Sequence, residues 1–485
     1  MPRPATTRKY GKPIKRTRAE ELFAALPKSP GKKVEQPQPQ PEPKTGLEVA
    51  PEEKIQQLAE KLFSVTLEGE RPVLEDKKGP STLRPTASPT RALRSREVLH
   101  VTPRQPTTRS ESPGQEEKID ASQGLRILTW DDVCSSGDRI EKIAEASYAE
   151  VYRITNERGT SIIKVIRLDS PIKAQTKAQE KSGLVDEEPH SEDDLRGELK
   201  ISEWLADVPG FVVYKERYVV RGRAPKALLE THQVFHRKMK RKDPDRLQFY
   251  PSPSRYLDDT RFLVVELGDA GVALEDFELS TVSQVWDIFL HTAVALARAE
   301  DLVRFEHRDL HEGNLCIWQA RPPKPKPEEE GLCQFGYSGL EITILDYGLS
   351  RAENVENTEI SVVAYDFEKE LGIFTSTHAP QCRVYRQMRS FLLKGDRVHL
   401  APKSHSTPYD TAIDGHPISW EPHYPYTNVL WLAYIFQYLM SHFKGDGKEL
   451  GLLKHTTKEL LSHLDPEAPR QILSFPSAVD VKQVG

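Results

Sequence analysis

The sequence is short of cysteine, of apolar residues and, at one place that matters, of glycine. Its 485 residues include four cysteines, Cys134, Cys316, Cys333 and Cys382, and no C-x-x-C pair. That spacing disfavours a zinc ribbon or a disulfide framework and suits a reducing compartment. Hydrophobic residues make up 37% of the chain, below the roughly 45–50% usual for globular sequences, so part of it is expected not to fold. No apolar run approaches the ~18 residues of a membrane span, and no membrane association is expected. Met1–Arg18 is Pro- and Lys/Arg-rich with no apolar stretch, unlike a secretory leader.

What is present is unevenly spread. The net charge is −5, but residues 1–120 hold 23 Lys/Arg against 17 Asp/Glu, a net +6 that leaves −11 on the remainder. The same stretch holds 17 of the 37 prolines. Polar, Pro-rich sequence buries too little apolar surface to offset the entropy of ordering, so residues 1–124 read as a disordered basic arm. Two islands interrupt it. Ala19–Leu26 carries Leu22, Phe23 and Leu26, and Glu52–Leu67 carries Ile55, Leu58, Leu62 and Phe63 at helical spacing. They are open to two readings, a helix that docks on a partner or transient helicity without one. Lys12–Arg18 (KPIKRTR) is a basic cluster of the nuclear-import or nucleic-acid kind. Ser29–Lys32 and Ser88–Arg91 fit S-P-x-K/R, so a mitotic proline-directed kinase acting on the arm is an expected partner.

From Leu125 β-rich runs follow at Arg139–Ile143, Glu150–Ile154, Ser161–Arg167, Phe211–Arg221 and Phe262–Leu267, with one helical stretch, Leu195–Leu205, among them. After residue 280 helices dominate. Thr281 and Gln284 form a capping box ahead of Val285, Phe289, Thr292 and Leu296. The predicted body is α+β and bilobed, with a strand-rich lobe over 125–266 and a helical lobe over 267–485.

Three segments carry chemistry. Phe305–Asn314 (FEHRDLHEGN) matches H-R-D-L-x-x-x-N. Phosphoryl transfer needs a carboxylate beside the acceptor hydroxyl, the place of Asp309, and an oxygen ligand for Mg²⁺, the place of Asn314. Glu341–Gly348 is a strand ending in D-Y-G, where Asp346 would hold Mg²⁺ bridging the phosphates of ATP. Ser161–Lys164 is a strand ending in Lys, where Lys164 would hold the α/β-phosphates with Glu198 as its ion-pair partner. Singly, each has a bland explanation: an Asp is usually a solvated charge, and a Lys closing a strand usually protects an edge. In this order and spacing they predict a protein-kinase-like fold.

The missing glycines belong to the phosphate loop. The pattern G-x-G-x-x-G-x-V reads Ala144, Ala146, Ala149 and Val151 at its fixed positions. Glycine reaches φ > 0 at little cost, whereas alanine there costs about 1–2 kcal/mol, so a weakened ATP-binding loop is expected.

The chain resembles the haspin family of atypical serine/threonine protein kinases, in a fungal-type form. FEHRDLHEGN carries the match, with ILDYGLSR (Ile344–Arg351), VYRQM (Val384–Met388), YPYTNVLWLAY (Tyr424–Tyr434) and FLVVELGDAG (Phe262–Gly271). The resemblance covers residues from about 125 onward. It implies a Lys164–Glu198 pair and Asp309 as base. It also implies Asn314 and Asp346 as Mg²⁺ ligands, Leu267 as gatekeeper with Val265 the alternative register, and adenine on the backbone of Gly268, Asp269 and Ala270. Glu275 and Glu370 fall at two positions of the family's acidic substrate groove, but Ala273 and Gly372 stand where further acids are expected, and Arg383 where an Asp is expected. The implied substrate is a threonine near the N-terminus of histone three in mitotic chromatin, which places the expected partners and location at the histone-three tail and chromosomes in the nucleus. A monomer is expected. Two rivals remain at this point. One is a small-molecule phosphotransferase, because D-L-H-x-G-N also stands at Asp309–Asn314. The other is a pseudokinase scaffold that binds nucleotide with little turnover.

Overall fold

The computed structural model describes residues 124–484 except 147–148, 182–183, 185–188, 245–247, 249, 326–334 and 355–360. The basic arm, its two helical islands, its basic cluster and its S-P-x-K/R sites lie outside the described residues, as does Cys333.

In chain order the first lobe contains β1 (Ile127–Leu128), α1 (Trp130–Val133), β2 (Arg139–Glu145), β3 (Glu150–Asn156), β4 (Gly159–Arg167), α2 (Lys177–Lys181), α3 (Glu192–Leu205), β5 (Tyr214–Arg221), α4 (Lys226–Lys242) and β6 (Arg261–Leu267). The six strands form one sheet in the order β1-β5-β6-β4-β3-β2, antiparallel except where β1 joins β5. β4 is apolar on both faces because both faces are covered. Ile162 and Ile166 pack toward α3 with Leu195, Ile201 and Leu205, while Ile163 and Val165 pack on the opposite side with Trp130, Phe262 and Leu228. This is the near-continuous hydrophobic pattern of a strand with no wet side.

The second lobe contains β7 (Val272–Ala273), α5 (Val282–Val303), β8 (Leu315–Gln319), β9 (Leu340–Ile344), β10 (Arg351–Asn354), β11 (Ser361–Ala364), α6 (Gly372–Thr375), α7 (Gln381–Lys394), α8 (Tyr426–His442), α9 (Gly447–Thr456), α10 (Lys458–Leu464) and α11 (Ala478–Val484). The capping box stands as expected: the Thr281 side chain accepts from the Gln284 amide at the start of α5. α5 and α8 form the core of this lobe, with Phe289 and Phe436 meeting edge to face at 4.8 Å. Among the described residues no helix is long and apolar enough to cross a membrane.

Two local expectations need correction. Only one helix was expected among the first strands, but α1, α2 and α4 accompany α3, and α4 is the longest of the four at 17 residues. Its apolar face is just Leu228, His232 and Phe235, set in a strongly basic sequence that hides the period. The run Phe211–Arg221 becomes a strand only from Tyr214. Phe211 and Val212 instead reach across to the second lobe, where Val212 N donates to Ile344 O (3.2 Å) and Ile344 N donates to Gly210 O (2.8 Å). Gly210 is required there: its φ is +98° and a Cβ would lie 2.5 Å from that of Ala295.

Candidate active site

The two lobes enclose a cleft of about 2170 Å³. Lys164 points into it from β4. Its Nζ lies 3.1 Å from Glu198 Oε1 on α3 and 4.0 Å from Asp346 Oδ2, just past β9. Three elements distant in sequence therefore converge on one ammonium group. Burial would raise the Asp346 carboxyl, but the Lys164 charge, the Gly348 amide (3.2 Å) and the nearby His307 and His311 hold it below its ordinary value.

The loop between α5 and β8 carries Asp309 and Asn314. Asn314 Nδ2 donates to the Asp309 carbonyl (2.9 Å), which leaves the amide oxygen of Asn314 as its free lone-pair donor. His307 is fully buried, and burial pushes it down to about 4. The neutral ring then does two jobs. Its Nε2 donates to the Leu345 carbonyl (2.9 Å), and its Nδ1 accepts from the Asp309 amide (3.2 Å). One imidazole thus sets the spacing between Asp309 and Asp346. Both Arg308 (φ +63°) and Asp346 (φ +61°) are left-handed, a strain of about 1–3 kcal/mol each that concentrates at functional sites.

Asp309 itself is half-buried, and the Tyr385 hydroxyl on α7 donates to its Oδ1. Burial pushes its carboxyl up to about 6, aided by the charges of Asp346 and Glu312 and opposed by His311 and the Tyr385 hydrogen bond. Behind it, Glu306 accepts from Arg308 Nε (2.9 Å), the Tyr424 amide (2.6 Å) and Thr427 Oγ1 (2.8 Å), all out of water. The Asn428 side chain accepts from the His307 amide (3.0 Å).

Of the residues singled out from the sequence, Ala144, Ala146, Val151, Lys164, Glu198, Leu267, Gly268, Asp269, Ala270, Glu275, Asp309, Asn314 and Asp346 line this one cleft. Two stand off its wall. Ala149 is fully buried behind the loop, its carbonyl accepting from the Ala146 amide (2.9 Å). Glu370 ends the 3₁₀ turn Phe367–Lys369. Val265 and Leu267 both line the cleft, Val265 beside Lys164 in register on the neighbouring strand. The Gly268 amide is already engaged by the Val213 carbonyl (2.8 Å). The expectation of strained alanines is corrected at two positions: Ala144 and Ala146 lack positive φ, so a Cβ costs nothing there in backbone conformation.

A profile of the haspin-like kinase domain matches residues 90–482. The chain belongs to the haspin-like kinase family. It is similar to the serine/threonine-protein kinase haspin of Mus musculus, at 28% identity over 392 residues, 79% of this chain and 45% of the mouse protein. It is also similar to the haspin homolog hrk1 of Schizosaccharomyces pombe, at 26% over 379 residues, 73% of this chain and 64% of that protein. The chain therefore spans about half to two thirds of the length of these relatives.

Within this haspin-like domain, sequence reading missed the residues that hold the loop. Tyr385 lies in the VYRQM run and Asn428 and Thr427 in YPYTNVLWLAY, so the segments were legible but not the side chains that reach back. Arg383, where an Asp was expected, pairs instead with Glu467. Asn428 supports the loop a second way: its amide also donates to Glu300 (2.8 Å) and the Phe305 carbonyl (2.9 Å).

Proposed function

We propose that this chain is an ATP- and Mg²⁺-dependent serine/threonine protein kinase of haspin type, acting on a threonine in the histone-three tail. The observation that carries the reading is the convergence of Lys164, Glu198, Asp309, Asn314 and Asp346 on one cleft. The donor set suits a hard cation: a carboxylate at Asp346 and a free amide oxygen at Asn314, with the remaining positions left to phosphate oxygens and water, as Mg²⁺ prefers. Bound there, the ion would neutralise charge on the phosphates. Lys164, steadied by Glu198, would hold the α/β-phosphates. Adenine would lie beside Leu267 against the Gly268 carbonyl and the Ala270 amide, because the Gly268 amide is taken. Asp309 would orient the substrate hydroxyl and accept its proton. A value of about 6 leaves it ionised at neutral pH.

The substrate reading rests on charge near that base. Glu275 lies exposed on the cleft wall, its carboxyl raised by partial desolvation and by neighbouring Asp276 and Glu312. Such a group gains from a cationic partner. This chemistry supports a basic tail as substrate, the resemblance to haspin motivates the reading of a nuclear location and action on chromatin, and S-P-x-K/R sites in the arm suit control by a mitotic kinase. Arg383 and Gly372, standing where acids were expected, favour one alternative, a nucleotide-binding scaffold with little turnover. Incubation with histone octamers and radiolabelled ATP separates the two. Label on histone three that is lost in Asp309→Asn supports the kinase. Nucleotide binding without any label supports the scaffold.

A further inference from the structure

The glycine-free phosphate loop is held from behind. Glu145 and Glu150 flank it as a directly opposed cross-strand pair. Two like charges at such a position repel, and here both side chains are nearly out of water, at 4% and 3% exposure. Between them sits the ammonium of Lys142, completely buried, 2.8 Å from Glu145 and 2.5 Å from Glu150. Lys142 is itself boxed by the rings of Phe235 (5.2 Å), Tyr250 (5.5 Å) and Tyr152 (5.9 Å). Glu150 also meets His232 Nδ1 of α4 (3.1 Å) and accepts from the Tyr152 hydroxyl (3.1 Å). Burial would raise the Glu150 carboxyl, but Lys142 and His232 bring it down to about 2. Separately, the Tyr250 hydroxyl donates to the Ala146 carbonyl (2.6 Å).

The placement gives this cluster a task beyond packing. Ala144 on β2, Val151 on β3 and Lys164 on β4 lie in one row across the sheet. The Glu145–Glu150 pair is the next step toward the loop. Whatever fixes that pair fixes how far the loop stem stands from Lys164 and Asp346, where the phosphates would lie. Flexible glycine is absent, so the stem cannot settle on a ligand by backbone adjustment alone.

We propose that Lys142 and Tyr250 are positioning residues for the nucleotide phosphates: they clamp the loop stem to α4 and its following segment, presetting a phosphate site that glycine would otherwise adapt. The inference rests on the nucleotide-binding reading above. It differs from a general packing role in one respect. The clamp acts on the phosphate end of the cleft and leaves the adenine end alone.

The test is calorimetric titration of the whole chain with Mg·ATP and with adenosine, in wild type, Tyr250→Phe and Lys142→Met. Tyr250→Phe keeps the ring and removes only the hydroxyl, so it remains informative if Lys142→Met, which strands two buried carboxylates, does not fold. The expected result is a Kd for Mg·ATP weakened about 3-fold or more in Tyr250→Phe and about 10-fold or more in folded Lys142→Met, with the Kd for adenosine unchanged in both. Equal weakening of both ligands, or an unaltered Mg·ATP affinity in Tyr250→Phe, overturns the clamp while leaving nucleotide binding intact. A wild-type chain that binds neither ligand overturns the nucleotide reading itself and the clamp with it.

Discussion

Asp309 illustrates how one side chain's surroundings become an observable. A base with a value of about 6 is half protonated at that pH. The apparent kcat/KM for a peptide is therefore expected to fall about tenfold per unit below it and to level off above it. Tyr385 donates a hydrogen bond to the ionised form and so lowers this value. Tyr385→Phe should move the acid limb to higher pH, and a pH–rate profile from about pH 5 to 9 reads this directly. A limb that stays in place means that some other group titrates. Asp309→Asn should retain ATP and lose roughly 10²–10⁴ in rate, the usual contribution of a positioned base.

Elements show what residue identity conceals. The β2–β3 stem has alanine where glycine was expected, yet neither Ala144 nor Ala146 needs a left-handed backbone. Restoring glycine at 144, 146 and 149 should therefore not improve ATP binding. It should loosen the stem by about 0.5–1 kcal/mol per residue, and at the fully buried Ala149 it also removes a packed methyl. A lowered KM for ATP in the triple variant would contradict this. α11 offers a second case. The amides of Ala478 and Val479 at its start donate to Glu300 on α5 (3.1 and 3.2 Å), which also accepts from Asn428. Burial pushes Glu300 from 4.5 up to about 7, against the pull of those hydrogen bonds. The folded chain then keeps a proton that the unfolded chain has released between these two values. Its stabilising contribution is full below 4.5 and is lost as pH rises through about 7, a change on the order of 3 kcal/mol. Urea midpoints should fall over that range, and Glu300→Gln should flatten the slope.

At the scale of the whole molecule, charge is segregated. The residues after 120 carry −11 and those before it +6. A negative body meeting a basic tail gains mainly in encounter rate, and salt screens that gain with a Debye length of about 8 Å at 0.15 M. The KM for a basic peptide should rise with ionic strength while the KM for Mg·ATP, set by groups within the cleft, changes little. Equal salt dependence for the two substrates would argue against charge steering. The same scale explains the second lobe's buried ion pairs. Arg389 meets Glu368 through two bonds of 2.9 and 2.7 Å, and Glu368 also accepts from Trp420 and the Tyr409 amide. A buried network of this kind favours one arrangement of α7 against the turn Phe367–Lys369.

The sequence by itself determined the class of fold, most strand positions and the capped start of α5, because period-two and helical apolar patterns and a Thr–Gln box are local signals. It also pointed to Lys164, Glu198, Asp309 and Asp346, whose order and spacing are written in the chain, though not to the position of Glu370, which stands off the cleft. Tertiary structure alone decided what holds them. Tyr385, Thr427 and Asn428 reach the catalytic-type loop from 76 to 121 residues away, and a lone Tyr, Thr or Asn on a buried helix carries no local mark of its target. α4 was hidden for a related reason: its basic residues outnumber the three that pack. The backbone of Ala144 and Ala146 was likewise beyond sequence, since strand pairing and the Tyr250 hydrogen bond to the Ala146 carbonyl engage it from outside the residue itself.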